Sequence, residues 1–130
     1  MFIFKRDWRL FIHDILECIE RIEKYVSGLS YDDFIKDDKT KDAVVRNLEI
    51  IGEAANQIPM DIRERYKDIP WAQIVGLRYR LIHGYFVVDY DIVWNIIDKE
   101  ISDLKIKIKE IFKDLGRVKH ETIYPDSNTT

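Results

Sequence analysis

The stretch LRYRLIHGYF, residues 77–86, gathers two arginines, a histidine and two tyrosines at the predicted end of a helix. Pro70 predicts the start of that helix, because the first helical position does not use the amide hydrogen that proline lacks, and Gly84 predicts its end. The apolar residues of its stripe are Trp71, Val75 and Ile82. Arg78 lies on the same stripe at steps of three and four, so a charged side chain interrupts an apolar face.

A guanidinium on an apolar stripe needs a partner, since arginine is rarely buried unpaired. Glu49 and Glu53 lie one turn apart on another predicted helix, where like charges repel mildly. We expect Arg78 to lie between them, with Glu53 and Glu49 as its structural or charge partners. The alternative is that Arg46 pairs with Glu49 within the same helix.

His83 is predicted to lie in the last helical turn, where the helix dipole favours an imidazolium. Imidazole titrates near neutral pH, which suits proton transfer, although a histidine at a helix end can equally be a cap or a satisfied polar contact. Arg80 lies three residues earlier, and we expect it on the same face as a second RNA phosphate contact. On an ideal helix Arg78 and His83 would be about 140° apart, so one chain would present them poorly together.

Length and composition predict one soluble domain with no membrane segment. The 130 residues are 46% hydrophobic and 35% charged, and no apolar run approaches the roughly 20 residues that span a bilayer. The first residues lack the apolar segment of a secretory signal, so we expect a cytoplasmic protein. The net charge of −3 argues against broad electrostatic capture of nucleic acid, so any RNA must be held by a local basic patch.

Helical periodicity covers most of the chain. We predict a first helix between Asp7 and Gly28, a second from about Thr40 to Ile58, and a last one from Asp89 or Tyr90 to Leu115, with short capped helices at 30–34 and 61–66. Gly52 lies inside the second helix, which suggests that another backbone passes close by. The fold predicted is all-α, an up-and-down bundle of four to five helices over residues 1–115, followed by a polar, flexible tail at 116–130.

Arg78, His83 and Tyr85, spaced as an arginine, four residues, a histidine, one residue and a tyrosine, resemble the signature of HEPN-domain proteins, specifically the HepT-like toxin branch. The runs AVVRNLEIIGEAA at 43–55 and GYFVVD at 84–89 are also similar to that family, and the resemblance extends to about residue 115. The family commonly has a small polar residue directly after the motif arginine, where this chain has Tyr79.

This resemblance implies an HEPN-like homodimer in which the motifs of both subunits face one cleft. It further implies the toxin of a type II toxin–antitoxin system, a metal-independent endoribonuclease that acts on tRNA or mRNA. Arg78 and His83 would be the catalytic residues. Tyr85 would be the AMPylation acceptor, adenylylated by a cognate minimal nucleotidyltransferase of the MntA-like kind that neutralises the toxin.

Two other interpretations remain open at this point. The chain could be a non-catalytic helical module of the same fold that binds a nucleotide or a protein, or a structural subunit in which Arg78 and His83 only join helices. We expect no cofactor and no metal, because the sequence has no glycine-rich phosphate loop, no paired-cysteine zinc spacing and no two-histidine helix motif. Cys18 is the only cysteine and is interpreted as a packing residue.

Overall fold

The computed structural model describes residues 6–118, and within that range it consists of helices and one small hairpin. In chain order the helices are α1 (Trp8–Val26), α2 (Tyr31–Lys36), α3 (Asp38–Ala55), α4 (Met60–Arg65), α5 (Trp71–Val75), α6 (Leu77–Leu81), α7 (Tyr90–Lys99) and α8 (Ile101–Val118). Strands β1 (Ile82–His83) and β2 (Val87–Val88) lie between α6 and α7. The predicted all-α bundle is confirmed.

Side-chain hydrogen bonds at the N-caps set where the first three helices begin. Asp7 accepts a hydrogen bond from the Arg9 amide at 3.0 Å and begins α1, as predicted. Ser30 and Asp33 form a reciprocal capping box on α2. Asp37 caps α3, so that helix begins two residues before the predicted Thr40. These caps satisfy amides that the first helical turn leaves without partners.

The core lies mainly between α1 and α3. Four isoleucines on one face of α1 are fully buried, namely Ile12, Ile15, Ile19 and Ile22. A β-carbon at Gly52 of α3 would lie 3.0 Å from the carbonyl oxygen of Ile74, so the backbone of α5 does pass close to this glycine, as predicted. The close approach holds α5, and α6 after it, against α3.

The predicted single helix from Pro70 to Gly84 is wrong in its second half. Gly76 has φ −86° and ψ 11° and separates α5 from α6, and α6 ends at Leu81. Ile82 is extended, and the carbonyl oxygen of Leu81 accepts a hydrogen bond at 2.8 Å from the Asp89 amide instead of from a further helical turn. His83 therefore lies on a strand, and neither the dipole argument nor the 140° separation applies to it.

The predicted last helix is likewise two helices. Glu100 has φ −111° and ψ −32° and separates α7 from α8. The last helix then continues through Val118, and the rest of the polar tail predicted for residues 116–130 lies outside the described residues. Among the helices of residues 6–118, none combines the length and the apolar character that crossing a membrane requires.

Candidate active site

His83 is presented by the hairpin. β1 and β2 are antiparallel, with Ile82 opposite Val88 and His83 opposite Val87, and the turn begins at Gly84, whose φ of +72° suits glycine. Side chains alternate along a strand, so Ile82 and Val88 pack against the core while His83 and Val87 face outward. The His83 side chain is 60% exposed and open to a solvent-borne ligand.

Asp89 places a carboxylate beside the imidazole. Its Oδ2 lies 3.8 Å from His83 Nε2, while its Oδ1 accepts a hydrogen bond from the Ile92 amide at 3.1 Å and caps α7. The hydrogen bond from the Ile92 amide fixes the position of the Asp89 carboxylate at the start of α7. The sequence analysis identified Asp89 only as a helix start. Asp89 follows His83 by six residues with a glycine between them, and this spacing could have predicted a hairpin that brings the two side chains together.

Arg78 lies on α6 and reaches α3. Its Nη1 donates to Glu49 Oε2 at 2.7 Å, with Arg78 59% exposed and Glu49 only 17% exposed. Within residues 6–118 the cation that pairs with Glu49 is thus Arg78 rather than Arg46. Glu53, one turn along α3, lines the same surface pocket as Arg78 but makes no ion pair with it.

Arg80 is held by a different carboxylate. Its Nη1 and Nη2 donate to the two oxygens of Glu100 at 3.1 and 2.7 Å, a bidentate pair between α6 and the junction of α7 with α8. Arg80 and His83 do not share a helical face as expected, because His83 lies on β1, beyond the end of α6. A guanidinium has five N–H groups, so this pair leaves three of them for other acceptors. The role of Glu100 was not predicted.

The site thus contains three basic side chains, Arg78, Arg80 and His83, each beside its own carboxylate. Over the described part of the chain no hydrogen bond or ion pair joins Arg78, Arg80 and His83 to one another. The same stretch of chain carries three exposed aromatic rings, with Tyr79 84%, Tyr85 89% and Phe86 77% exposed. Tyr85 lies in the hairpin turn, where its hydroxyl is accessible.

One group of possible metal ligands occurs in residues 6–118, and it lies on α1 outside the motif. The ligand atoms of His13, Asp14 and Glu17 are within 4.8 Å of one another. Both carboxylates already pair with arginines, Asp14 with Arg6 at 2.8 Å and Glu17 with Arg21 at 3.0 Å.

Comparison with known proteins places this chain in a family. The family model described as "Ribonuclease HepT-like" matches residues 15–111, a range that contains Arg78, His83 and Tyr85. The chain belongs to this HepT-like family. The resemblance predicted from the motif is therefore confirmed. No solved structure gives a significant match to the chain.

Curated relatives support the same family over nearly their whole length. A protein named "Putative RNase" from Methanocaldococcus jannaschii is 44% identical over 112 residues, which cover 85% of this chain and 92% of that protein. Another "Putative RNase", from Caldanaerobacter subterraneus subsp. tengcongensis, is 46% identical over 101 residues, covering 78% and 89%. A "Probable ribonuclease HepT" from Thermococcus cleftensis is 40% identical over 109 residues, covering 84% and 99%.

Proposed function

We propose that this HepT-like protein is an endoribonuclease that cleaves RNA by attack of a substrate 2′-hydroxyl on the adjacent phosphorus. The observation that carries the proposal is the exposed His83 imidazole, placed on a hairpin with Oδ2 of Asp89, the residue that caps α7, 3.8 Å from its Nε2. A carboxylate in this position is placed to orient the imidazole for proton transfer. The membership in a family described by ribonuclease activity supports the same conclusion.

The reaction has two proton transfers and one displacement. The 2′-oxygen forms a bond to phosphorus, the phosphorus–O5′ bond breaks, and the products end in a 2′,3′-cyclic phosphate and a 5′-hydroxyl. One group takes the 2′-hydroxyl proton and another gives a proton to O5′. An imidazole can perform either transfer, and His83 is exposed enough to reach a backbone phosphate. The protein supplies these roles from side chains, so the proposed reaction is metal-independent.

Arg78 is proposed to stabilise the charge on the phosphoryl oxygens. Its guanidinium is 59% exposed and donates one N–H to Glu49, which leaves its other donors for a phosphate. Arg80 is proposed as the second phosphate contact through the three N–H groups that Glu100 does not occupy. We propose that the unoccupied donors of these two arginines supply the local phosphate contacts that a chain of net charge −3 requires for RNA.

A homodimer is proposed as the active form. Arg78 and His83 pair with separate carboxylates on separate elements, so one subunit does not by itself show them converging on one phosphate. Two motifs facing one cleft would supply two imidazoles, one for each proton transfer. The outward Phe86 and Val87, 77% and 58% exposed, offer apolar surface for such a pairing.

We further propose that the protein is the toxin of a type II toxin–antitoxin system and that a nucleotidyltransferase antitoxin controls it through Tyr85. The Tyr85 side chain is 89% exposed in the turn that follows His83, so its hydroxyl is open to a modifying enzyme. Transfer of AMP from ATP to this oxygen, with release of pyrophosphate, would place a bulky anion beside the imidazole. That anion would exclude an RNA phosphate by charge and by volume.

The test is cleavage of total tRNA and of mRNA in excess EDTA by the wild-type protein and by His83→Ala. We expect the wild type to yield 2′,3′-cyclic phosphate ends and His83→Ala to lose at least about 100-fold in rate, the usual contribution of a positioned acid or base. His13→Ala is the matched control, since it removes an exposed histidine from α1, outside the motif. Circular dichroism verifies that each variant is folded.

Two results would contradict the proposal. Equal cleavage by His83→Ala would place the chemistry elsewhere, and absence of cleavage by unmodified wild type, with intact mass showing no AMP, would favour the non-catalytic binding module of the same fold. A marked loss of thermal stability in His83→Ala would instead indicate the structural interpretation.

A further inference from the structure

A surface pocket beside Arg78 is the feature that extends the proposed function. Its volume is about 230 Å³. It is lined by Glu49 and Glu53 of α3, by Asn56 directly after that helix, and by Val75, Arg78 and Tyr79 on the facing side. Pockets for drug-sized ligands measure roughly 300–1,000 Å³, so this one suits a smaller group. The close approach at Gly52 is what holds its two walls together.

The two acidic side chains of the pocket differ in whether their carboxylate oxygens already have a partner. Glu49 is committed to Arg78 at 2.7 Å. Glu53 is exposed and has no hydrogen-bond or ion-pair partner within residues 6–118. An ionised carboxylate is acceptor-only, with two oxygens side by side. A ligand that fits it therefore presents two adjacent donors.

The rim of the pocket also carries a ring and a cation. Tyr79 is 84% exposed, and a free aromatic face stacks on nucleobases. Arg78 lines the pocket and is the proposed phosphate contact, so a base bound here belongs to a nucleotide next to the cleaved phosphate. Among the neutral bases, guanine alone has two adjacent donors on one edge, at N1 and N2.

We propose that this pocket is a guanine subsite for single-stranded RNA, in which Glu53 binds the N1 and N2 edge and Tyr79 stacks on the base. The inference rests on the proposed ribonuclease function and adds its base specificity. A base inside a duplex has this edge paired, so the subsite selects unpaired guanines. It also assigns a role to Tyr79, the residue that departs from the family motif.

The first experiment maps cleavage sites in a single-stranded RNA of mixed sequence. We expect guanine at one fixed position beside the cut, and Glu53→Gln to lower the guanine-over-adenine preference by about tenfold or more, because an amide matches the donor–acceptor edge of adenine. Glu64→Gln is the matched control, since it removes an exposed carboxylate from α4, outside the pocket. Cleavage without base preference, or an unchanged preference in Glu53→Gln, would overturn the guanine subsite and leave the nuclease proposal intact.

The second experiment measures binding without chemistry. Fluorescence anisotropy compares a 2′-O-methyl hexamer that has one guanosine among adenosines with the all-adenosine hexamer. We expect tighter binding of the guanosine hexamer, a loss of about tenfold or more in Tyr79→Ala, and near wild-type binding in Tyr79→Phe, which keeps the ring. If the wild type cleaves no RNA, the nuclease proposal fails while this comparison still decides the subsite, and equal binding of the two hexamers overturns it.

A competition experiment separates RNA from free nucleotide as the source of the guanine. GMP should displace the guanosine hexamer only at concentrations well above the hexamer dissociation constant, because it lacks the neighbouring phosphates. Displacement by GMP at an affinity equal to or better than that of the hexamer, lost in Glu53→Gln, would show a free guanine nucleotide site and overturn the assignment to RNA.

Discussion

Arg78 and Glu49 form a 2.7 Å ion pair between α6 and α3, across 29 positions of sequence. The carboxylate is the more buried member, at 17% exposure against 59% for the guanidinium. Glu49 therefore anchors one side of the arginine and leaves the other side toward solvent. The pair fixes the position of the Arg78 guanidinium relative to α3.

Arg78→Ala should separate activity from stability. An exposed ion pair contributes about 0–1 kcal/mol, so the free energy of unfolding should fall by no more than about 1 kcal/mol. Loss of a preorganised donor to the phosphoryl oxygens should lower the cleavage rate by about 100-fold or more. Denaturant unfolding and single-turnover cleavage measure the two effects. Arg46→Ala, an exposed arginine on α3, should change neither, and a rate loss shared by Arg46→Ala would indicate general electrostatics instead.

Asp89 can be tested by two substitutions that differ in one property. Asn caps helices about as well as Asp, so Asp89→Asn should keep the α7 cap and remove only the negative charge 3.8 Å from His83 Nε2. A charge interaction of about 1.4 kcal/mol corresponds to an expected tenfold fall in cleavage rate. Asp89→Ala should add a stability loss of about 0.5–2 kcal/mol from the missing cap. Wild-type activity in Asp89→Asn would show that the carboxylate serves only the helix.

Substitutions at Arg80 and Glu100 should distinguish a structural role of this pair from a role of Arg80 in substrate binding. Their bidentate pair ties α6 to the α7–α8 junction, so Arg80→Ala and Glu100→Gln should lower stability by a similar amount, about 1 kcal/mol, and the double variant by little more than either. Only Arg80→Ala should raise KM for RNA and reduce the dependence of binding on salt. An unchanged KM in Arg80→Ala would remove it from the phosphate contacts. Thermal unfolding and steady-state cleavage at two salt concentrations provide both readouts.

Cys18 predicts a pH dependence of stability in the alkaline range. Burial in the α1 core raises the pKa of its thiol from the ordinary 9.0 to about 11. Because the thiol has a higher pKa in the folded state than in the unfolded state, it contributes to stability at pH values below its unfolded-state pKa. This contribution is lost as pH rises from about 9 through about 11. Cys18→Ala should therefore flatten the decline of the unfolding free energy over that window.

Part of that alkaline decline should persist in Cys18→Ala. The pKa of Tyr31 is raised by its hydrogen bond to Asp91, and that of Tyr66 by burial, so both phenols contribute in the same direction. A thiol reagent should label native Cys18 slowly and denatured Cys18 fast at pH 8. Equal rates would mean that the thiol is not held in the core.

Local features of the chain were predictable from sequence. Asp7 and Ser30 act within a turn of their own position, and the structure places these two caps where the patterns predicted them. A glycine inside a helix indicates a close backbone approach without naming the partner, and the structure shows that Gly52 meets the α5 backbone. The family motif was also predictable, because a signature is a matter of spacing along the chain. The site roles of residues outside the motif, such as Asp89 and Glu100, were not predicted.

The sequence by itself determined the helical class, the long helices α1 and α3, and the identity of the motif side chains, because helical hydrogen bonds join residues four apart and apolar periodicity is written in neighbouring positions. Only the tertiary structure decided that the helix ends at Leu81 and that His83 enters a hairpin, since the Leu81 carbonyl bonds the Asp89 amide instead of a next turn. It also decided which carboxylate each cation meets. Arg78 pairs with Glu49 and Arg80 with Glu100 because α5 and α6 pack against α3 and the α7–α8 junction, and distances across packed helices depend on the whole core rather than on any stretch of sequence.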